Sequence, residues 1–212
     1  MQALRLQFAG TITSFRHPLF PHGQQVSYPC PPPTTLYGLV CSALGERIAP
    51  SEFRLAFNFT YEDTVEDLEH VFLIGAPSER VKLSPFTRQL LTQPRLTLYL
   101  DRPEWLEAFR SPRYVLTLGR SQDLITLQTA QVVTLEQAAS AYLRDTLVPM
   151  PANLARYTMW QMPRSLTAER VVTWQAYAHV TMPQVVNQPI WVDREQPTWR
   201  GHARGVMWLT LA

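Results

Sequence analysis

Lysine is almost missing from this sequence: Lys82 is the single lysine among 19 lysine and arginine residues. Arginine therefore carries nearly all the positive charge, and guanidinium groups make planar, two-pronged contacts to phosphate and stack on bases. A GC-rich genome produces the same bias, so the composition alone assigns no nucleic-acid role. Cysteine is also scarce. Cys30 and Cys41 are the only two, too few for a disulfide framework, and no CxxC spacing points to zinc. No apolar run reaches the roughly 20 residues that cross a bilayer. Met1 to Arg5 alternates without the layout of a secretory leader. The expectation is a soluble, cytoplasmic protein with no membrane partner. There is no HExxH, no GxSxG elbow, no P-loop and no carboxylate cluster with metal-ligand spacing. Neither a metal nor a cofactor is expected.

What is present is a chain of 212 residues, long enough to bury a substantial core, with a formal net charge of +2. Its charges are segregated. Glu62, Asp63, Glu66, Asp67, Glu69 and Glu79 fall between Asn58 and Glu79 with no Lys or Arg among them. Arg88, Arg95, Arg102, Arg110, Arg113 and Arg120 follow between Phe86 and Arg120, against three acids. A block of like charge is a solvated face or loop in the ordinary case, and the positive block fits a phosphate-binding surface as well.

Apolar residues alternate at Leu4, Leu6 and Phe8, which predicts a strand continuing through Ile12. In YPCPPPTTLYGLVCSALGE (28–46), three prolines precede an apolar face at Leu36, Leu39, Val40, Ala43 and Leu44. That spacing predicts a helix with Thr34 as N-cap and Gly45 as its stop. The prolines hold the approach extended and fix where the helix begins. Gly38 costs the helix about 1 kcal/mol relative to alanine. Close packing on a neighbouring strand explains it, or close approach of a ligand or another backbone. Strands are expected over 53–59, 71–74, 96–100 and 114–118, and a short helix after Asp101, whose spacing to Glu104 is that of a capping box. The order strand, helix, strand, insertion, strand, helix, strand is the split βαβ arrangement of ferredoxin-like and RNA-recognition folds. Tyr99 and Tyr114 are either base-stacking residues or half-buried strand residues. Beyond residue 128 a capping box at Thr134–Gln137 suggests a helix to Leu143, and strands are expected over 171–180 and 206–211. Five of the six tryptophans lie in this part.

The histidines are His17, His22, His70, His179 and His202. His17 or His22 beside an arginine would suit metal-free RNA cleavage, as general base toward a 2′-hydroxyl. Nothing in the spacing demands it.

Three stretches carry a resemblance. YPCPPPTTLYGLVCSALG resembles the proline-rich strand-to-helix junction of the CRISPR-associated Cas-five proteins, subunits of type I Cascade complexes. FTRQLLTQPRLTLYL (86–100) is similar to their Arg-x-Leu-Leu segment, and FRSPRYVLTLGRSQDLITL (109–127) to their Leu-Gly-Arg-Ser block. The resemblance implies an α+β chain: a ferredoxin-like (RRM/RAMP-type) RNA-binding domain over 1–128, a thumb-like insertion over about 58–86, and an irregular β-rich C-terminal lobe over 129–212. It implies a non-catalytic subunit that holds the 5′ handle of CRISPR RNA, caps the complex against its backbone and large subunits, and meets target DNA through the complex. The implied RNA-binding residues are Arg16, His17, Gly38, Arg88, Gly119, Arg120 and Ser121. One branch of the family cleaves its precursor RNA with a tyrosine, a lysine and a histidine; nothing places Lys82 beside a histidine. The competing expectations are a metal-independent endoribonuclease and a purely structural subunit.

Overall fold

The computed structural model describes residues 1–19, 23–73 and 82–212, without the side chains of 71, 73 and 82–84. His22, Glu79 and the loop holding Gly75 and Pro77 lie outside the described residues. The central element is a five-stranded sheet. Its main strands are β1 (Gln2–Gly10), β2 (Arg54–Thr60), β5 (Arg95–Leu100) and β6 (Ile125–Thr134). A long hairpin of β3 (Thr64–Leu73) and β4 (Lys82–Thr92) interrupts them in sequence. Across the sheet the order is Leu209–Thr210, β2, β5, β1, β6, each neighbour antiparallel. Helices α1 (Pro33–Leu44) and α2 (Leu106–Arg110) complete the ferredoxin-like α+β core.

Alternation builds this sheet row by row. Leu55 faces Leu100 and Leu4, Phe57 faces Leu98 and Leu6, and Phe59 faces Leu96 and Phe8. All nine side chains are buried. Leu36, Leu39, Val40 and Ala43 of α1 and Phe109 of α2 pack onto that face. Each buried leucine or phenylalanine contributes about 1.5–3 kcal/mol. The helix begins one residue before the expected cap. Pro32 is the N-cap and Pro33 the first helical residue, where a missing N–H costs nothing. Gly45, at φ 83°, ends the helix with its N–H on the Cys41 carbonyl at 2.9 Å.

Four expectations need correction. Residues 114–118 are not a strand; they lie in a turn-rich segment, and the fourth core strand is β6. Residues 134–143 are not a helix, because Glu136–Ala138 and Ala141–Leu143 pair with distant strands and long-range pairing overrides the local cap signal. Asp101 caps no helix; its carboxylate accepts from the Arg54 backbone and guanidinium at 2.8 Å. Gly38 is not packed on a strand: a Cβ there would meet nothing within 4 Å. The boundary drawn at 128 falls inside β6, and the chain returns to the core sheet at Leu209–Thr210.

The C-terminal lobe holds two sheets. One orders as Gln184–Val186, Ala141–Leu143, Arg204–Val206, Ile190–Asp193, Glu136–Ala138. The other orders as Thr146–Pro149, Val172–Val180, Thr158–Leu166. The lobe covers part of the second face of the core sheet, where Ala3, Ala56, Tyr99 and Val133 meet Val206, Trp191 and Trp208. Arg5 fastens it. Its guanidinium reaches Asp193 at 2.7 Å, Gln131 at 2.7 Å and Glu195 at 2.8 Å, and the Tyr99 hydroxyl donates to Asp193 at 2.8 Å. Burial alone would lower the Arg5 pKa, but Asp193 and Glu195 outweigh it and hold it above its ordinary value. Among the described residues no helix is long and apolar enough to cross a membrane.

Asp193→Ala would leave the Arg5 charge buried without its main partner, and is expected to cost about 3–5 kcal/mol in urea unfolding. His179 gives a second test. Burial in the Val172–Val180 strand pushes its pKa down from 6.5 to about 4. The unfolded chain therefore binds a proton that the folded chain refuses. Stability is expected to fall as pH drops through 6.5 toward 4, by on the order of 3 kcal/mol. His179→Leu should flatten that part of the stability–pH curve relative to the unmodified protein; an unchanged difference would refute the assignment.

Candidate nucleic-acid interface

The foot of the β3–β4 hairpin gathers several of the sequence candidates. Gly119 adopts φ +101°, and a Cβ there would fall 2.6 Å from the Ser14 carbonyl oxygen and 2.7 Å from Thr13 Oγ1. The glycine is required by the chain's own backbone. Thr13 Oγ1 donates to the Leu118 carbonyl in the same contact. Asp123 is fully buried just beyond; it accepts from the Ser14 N–H at 3.2 Å and the Arg120 N–H at 3.0 Å. The Arg120 guanidinium grips both oxygens of Asp123 at 2.8–3.0 Å and reaches Glu69 at 3.0 Å. Arg88 grips the same Glu69 with Nε at 2.9 Å and donates to Gln25. Two arginines thus share two carboxylates, and Asp67 adds a further negative charge that acts on Arg120. Burial opposes the Arg120 charge, yet Asp123 and Glu69 raise its pKa. The Arg88 hydrogen bond keeps the Glu69 pKa below its ordinary value. Ser121 is exposed beside this network.

Arg16 and His17 belong to the adjoining segment. Arg16 bridges Ser27 through its backbone and is exposed, so His17 turns inward by strand alternation. The His17 ring lies 4.4 Å from Tyr28 and 5.9 Å from Trp160, and Tyr28 meets Trp160 edge-on at 5.7 Å. The Tyr28 hydroxyl donates to the Gln161 carbonyl at 2.7 Å. With Leu19, Met159 and Trp174 these rings line a cleft of about 450 Å³. Leu19, Met159 and Trp174 are 78%, 63% and 43% exposed. Burial lowers the His17 pKa below its ordinary value. Its Nδ1 accepts from the Leu19 N–H at 3.3 Å, which assigns the ring proton to Nε2.

The structure therefore joins Arg88, Gly119, Arg120 and Ser121 at the hairpin foot and places His17 in the aromatic cleft, while Arg16, the preceding residue, is exposed and is not among the residues that line the cleft. Gln89 links the two, its side chain accepting from the Ser27 N–H at 3.0 Å and its carbonyl from Ser14 Oγ at 2.9 Å. Gly38 stands apart on the exposed side of α1. Tyr99 is buried with its hydroxyl committed to Asp193, while Tyr114 is 58% exposed in a loop. Sequence reading missed Tyr28, Met159, Trp160 and Trp174. Three of these arrive from a C-terminal strand pair, and no local spacing announces their meeting.

Residues 3–69 match the family model described as CRISPR-associated protein (Cas_Cas5). A chain of a CRISPR RNA-guided surveillance complex is similar at a TM-score of 0.61 and 14% identity, over 88% of this chain and 91% of its own. A chain of a Type III-B Cmr-beta complex bound to cognate target RNA gives 0.58 at 10% identity, over 87% and 86%. A CRISPR protein from Archaeoglobus fulgidus gives 0.53 at 10% identity, over 91% and 96%. These structural likenesses show a shared fold. Among curated proteins, no sequence match reaches significance.

Arg120→Ala would strand the buried Asp123 charge and is expected to cost about 3 kcal/mol or more. Gly119→Ala should also destabilise, because its φ and its close backbone contact both exclude a side chain. Urea titration checks both. Arg16→Ala, at an exposed position, should leave the midpoint unchanged.

Proposed function

We propose that this chain, a member of the CRISPR-associated Cas-five family, is a non-catalytic subunit of a cytoplasmic CRISPR RNA-guided effector complex of the Cascade type and holds the 5′ handle of the CRISPR RNA. The observation that carries this reading is the cleft lined by Trp160, Trp174 and His17. Single-stranded RNA is bound through unstacked bases laid against aromatic rings, with cations on the phosphates. Trp174, 43% exposed, and the half-buried Trp160 offer the rings, backed by the buried His17 and Tyr28, and exposed Arg16, next to His17 in the chain, is a cation able to follow the strand. Arg88 and Arg120 serve this site from behind, by fixing the hairpin foot on which the 14–19 segment rests. The His17 ring, buried against Tyr28 and Trp160, suits backing the aromatic cleft better than delivery of a proton to a leaving group. The acidic outer residues of the hairpin suit a protein neighbour in the complex.

The test uses the purified protein and the complex assembled on its CRISPR RNA, both in EDTA. End-labelled handle RNA, repeat RNA and a scrambled control are titrated over a salt series. Intact RNA, preference for the handle and steep loss of affinity with salt are expected. Trp174→Ala should weaken handle binding about tenfold, in line with the loss of one stacked base, and Arg16→Ala should reduce the salt dependence. A discrete cut in the repeat, abolished by His17→Ala, would overturn the non-catalytic part and favour an endoribonuclease. Equal affinity for handle and scrambled RNA would overturn handle recognition.

A further inference from the structure

The C-terminal lobe carries a second groove, of about 880 Å³, that shares no lining residue with the aromatic cleft. Arg156, Met182, Gln184, Trp199, Arg200 and His202 lie along it, and among the described residues no carboxylate does. Other arginines of this lobe do have acidic partners. Arg194 pairs with Glu136, and Arg144 and Arg204 both approach Asp145. Arg156 and Arg200 are exposed, and among the described residues neither guanidinium has an acidic partner.

Both are nevertheless held in place through their backbones. Trp199 and His202 exchange two backbone hydrogen bonds at 3.0 Å around a tight turn, with Arg200 at φ +49° and Gly201 at φ +79°. This turn needs two left-handed residues, and asparagine or glycine adopts that conformation more readily than arginine. The turn sets the Arg200 guanidinium 4.7 Å from the Trp199 ring centroid. On the opposite wall the Gln184 side chain accepts from the Ala155 and Arg156 N–H groups at 3.0 and 3.4 Å, and donates to the Arg156 carbonyl at 2.6 Å. Two uncompensated guanidinium groups therefore face one groove from clamped loops, and one of them is already stacked.

We propose that this groove binds a short run of single-stranded nucleic acid, with phosphates on Arg156 and Arg200 and a base against the Arg200–Trp199 stack. Guanidinium supplies planar donors for phosphate and a flat cationic surface for a base. The absence of carboxylate from the described lining removes the repulsion that a phosphodiester would otherwise meet. The strand is either RNA or DNA, since both carry the same phosphate and stacking chemistry.

The test is fluorescence anisotropy of the full chain with labelled oligo(dT) and oligo(rU) of about ten nucleotides, within the site sizes of single-strand binders, over a salt series. Arg156→Ala/Arg200→Ala is expected to weaken one or both oligonucleotides at least tenfold. It should also flatten the salt dependence, by about 0.7 in the log–log slope for each phosphate no longer neutralised. Which oligonucleotide responds identifies the strand. The variant should retain its discrimination between handle and scrambled RNA, while Trp174→Ala loses that discrimination and keeps the groove's contribution. The two sites therefore fail separately. Unchanged affinity and slope in the double variant would overturn the proposal. So would absence of oligonucleotide binding by the unmodified protein, leaving an acidic protein segment as the groove's occupant.

Discussion

The architecture turns on one charge placed where charge is expensive. Arg5 sits in an interior strand of the core sheet, only 7% exposed, and its partners are far away in sequence; Asp193 is 188 residues on. A buried guanidinium without a partner costs several kcal/mol. The Asp193–Tyr99–Glu195 cluster that satisfies it is available only when the C-terminal lobe is seated on the sheet. The lobe is thus an obligatory second layer. It occupies ground that an open ferredoxin-like RNA binder uses for base stacking, and Tyr99, placed on a central strand as a stacking residue would be, is consumed beneath it. On the proposed function, rings for nucleic acid come from elsewhere. Trp160 and Trp174 come from the lobe itself, brought by the Thr158–Leu166 and Val172–Val180 strands.

The core sheet was legible because its strands carry a period-two pattern that pairing then uses row by row, as in Leu6, Leu98 and Phe57. The start of α1 was legible to within two residues because proline leaves few options. What escaped depended on partners far along the chain. Tyr114 to Leu118 alternates like a strand, yet only Leu116 and Leu118 are buried. Ala138 and Ala141 read as helix formers, but Ile190 and Val186 wait opposite them. Arg120 and Gly119, singled out in the sequence as RNA contacts, have partners within the chain. One answers Asp123 and Glu69, the other the backbone of Ser14.

Charge segregation along the sequence acquires a simple meaning here. Glu69 belongs to the acidic block and Arg88 and Arg120 to the basic one, and folding brings the three together at the hairpin foot. The blocks are partly each other's counterions. Arginines that remain without a described acidic partner, such as Arg16, Arg156 and Arg200, are therefore more informative about external ligands than the total charge is.

The edge of the core sheet has a further consequence. Beside β2 lies the two-residue strand Leu209–Thr210, which the chain supplies only after the whole C-terminal lobe. During synthesis β2 is made early, and its outer edge waits for the lobe: the Phe59 N–H donates to the Asp145 carbonyl at 2.9 Å, and Leu55 and Arg54 pair there with Leu209 and Thr210. An apolar strand with one bare edge is a template for pairing with another chain. Asp145 and the short return of the chain together cover that edge, so the lobe that binds the sheet's face also shortens the nascent chain's exposure to misassembly.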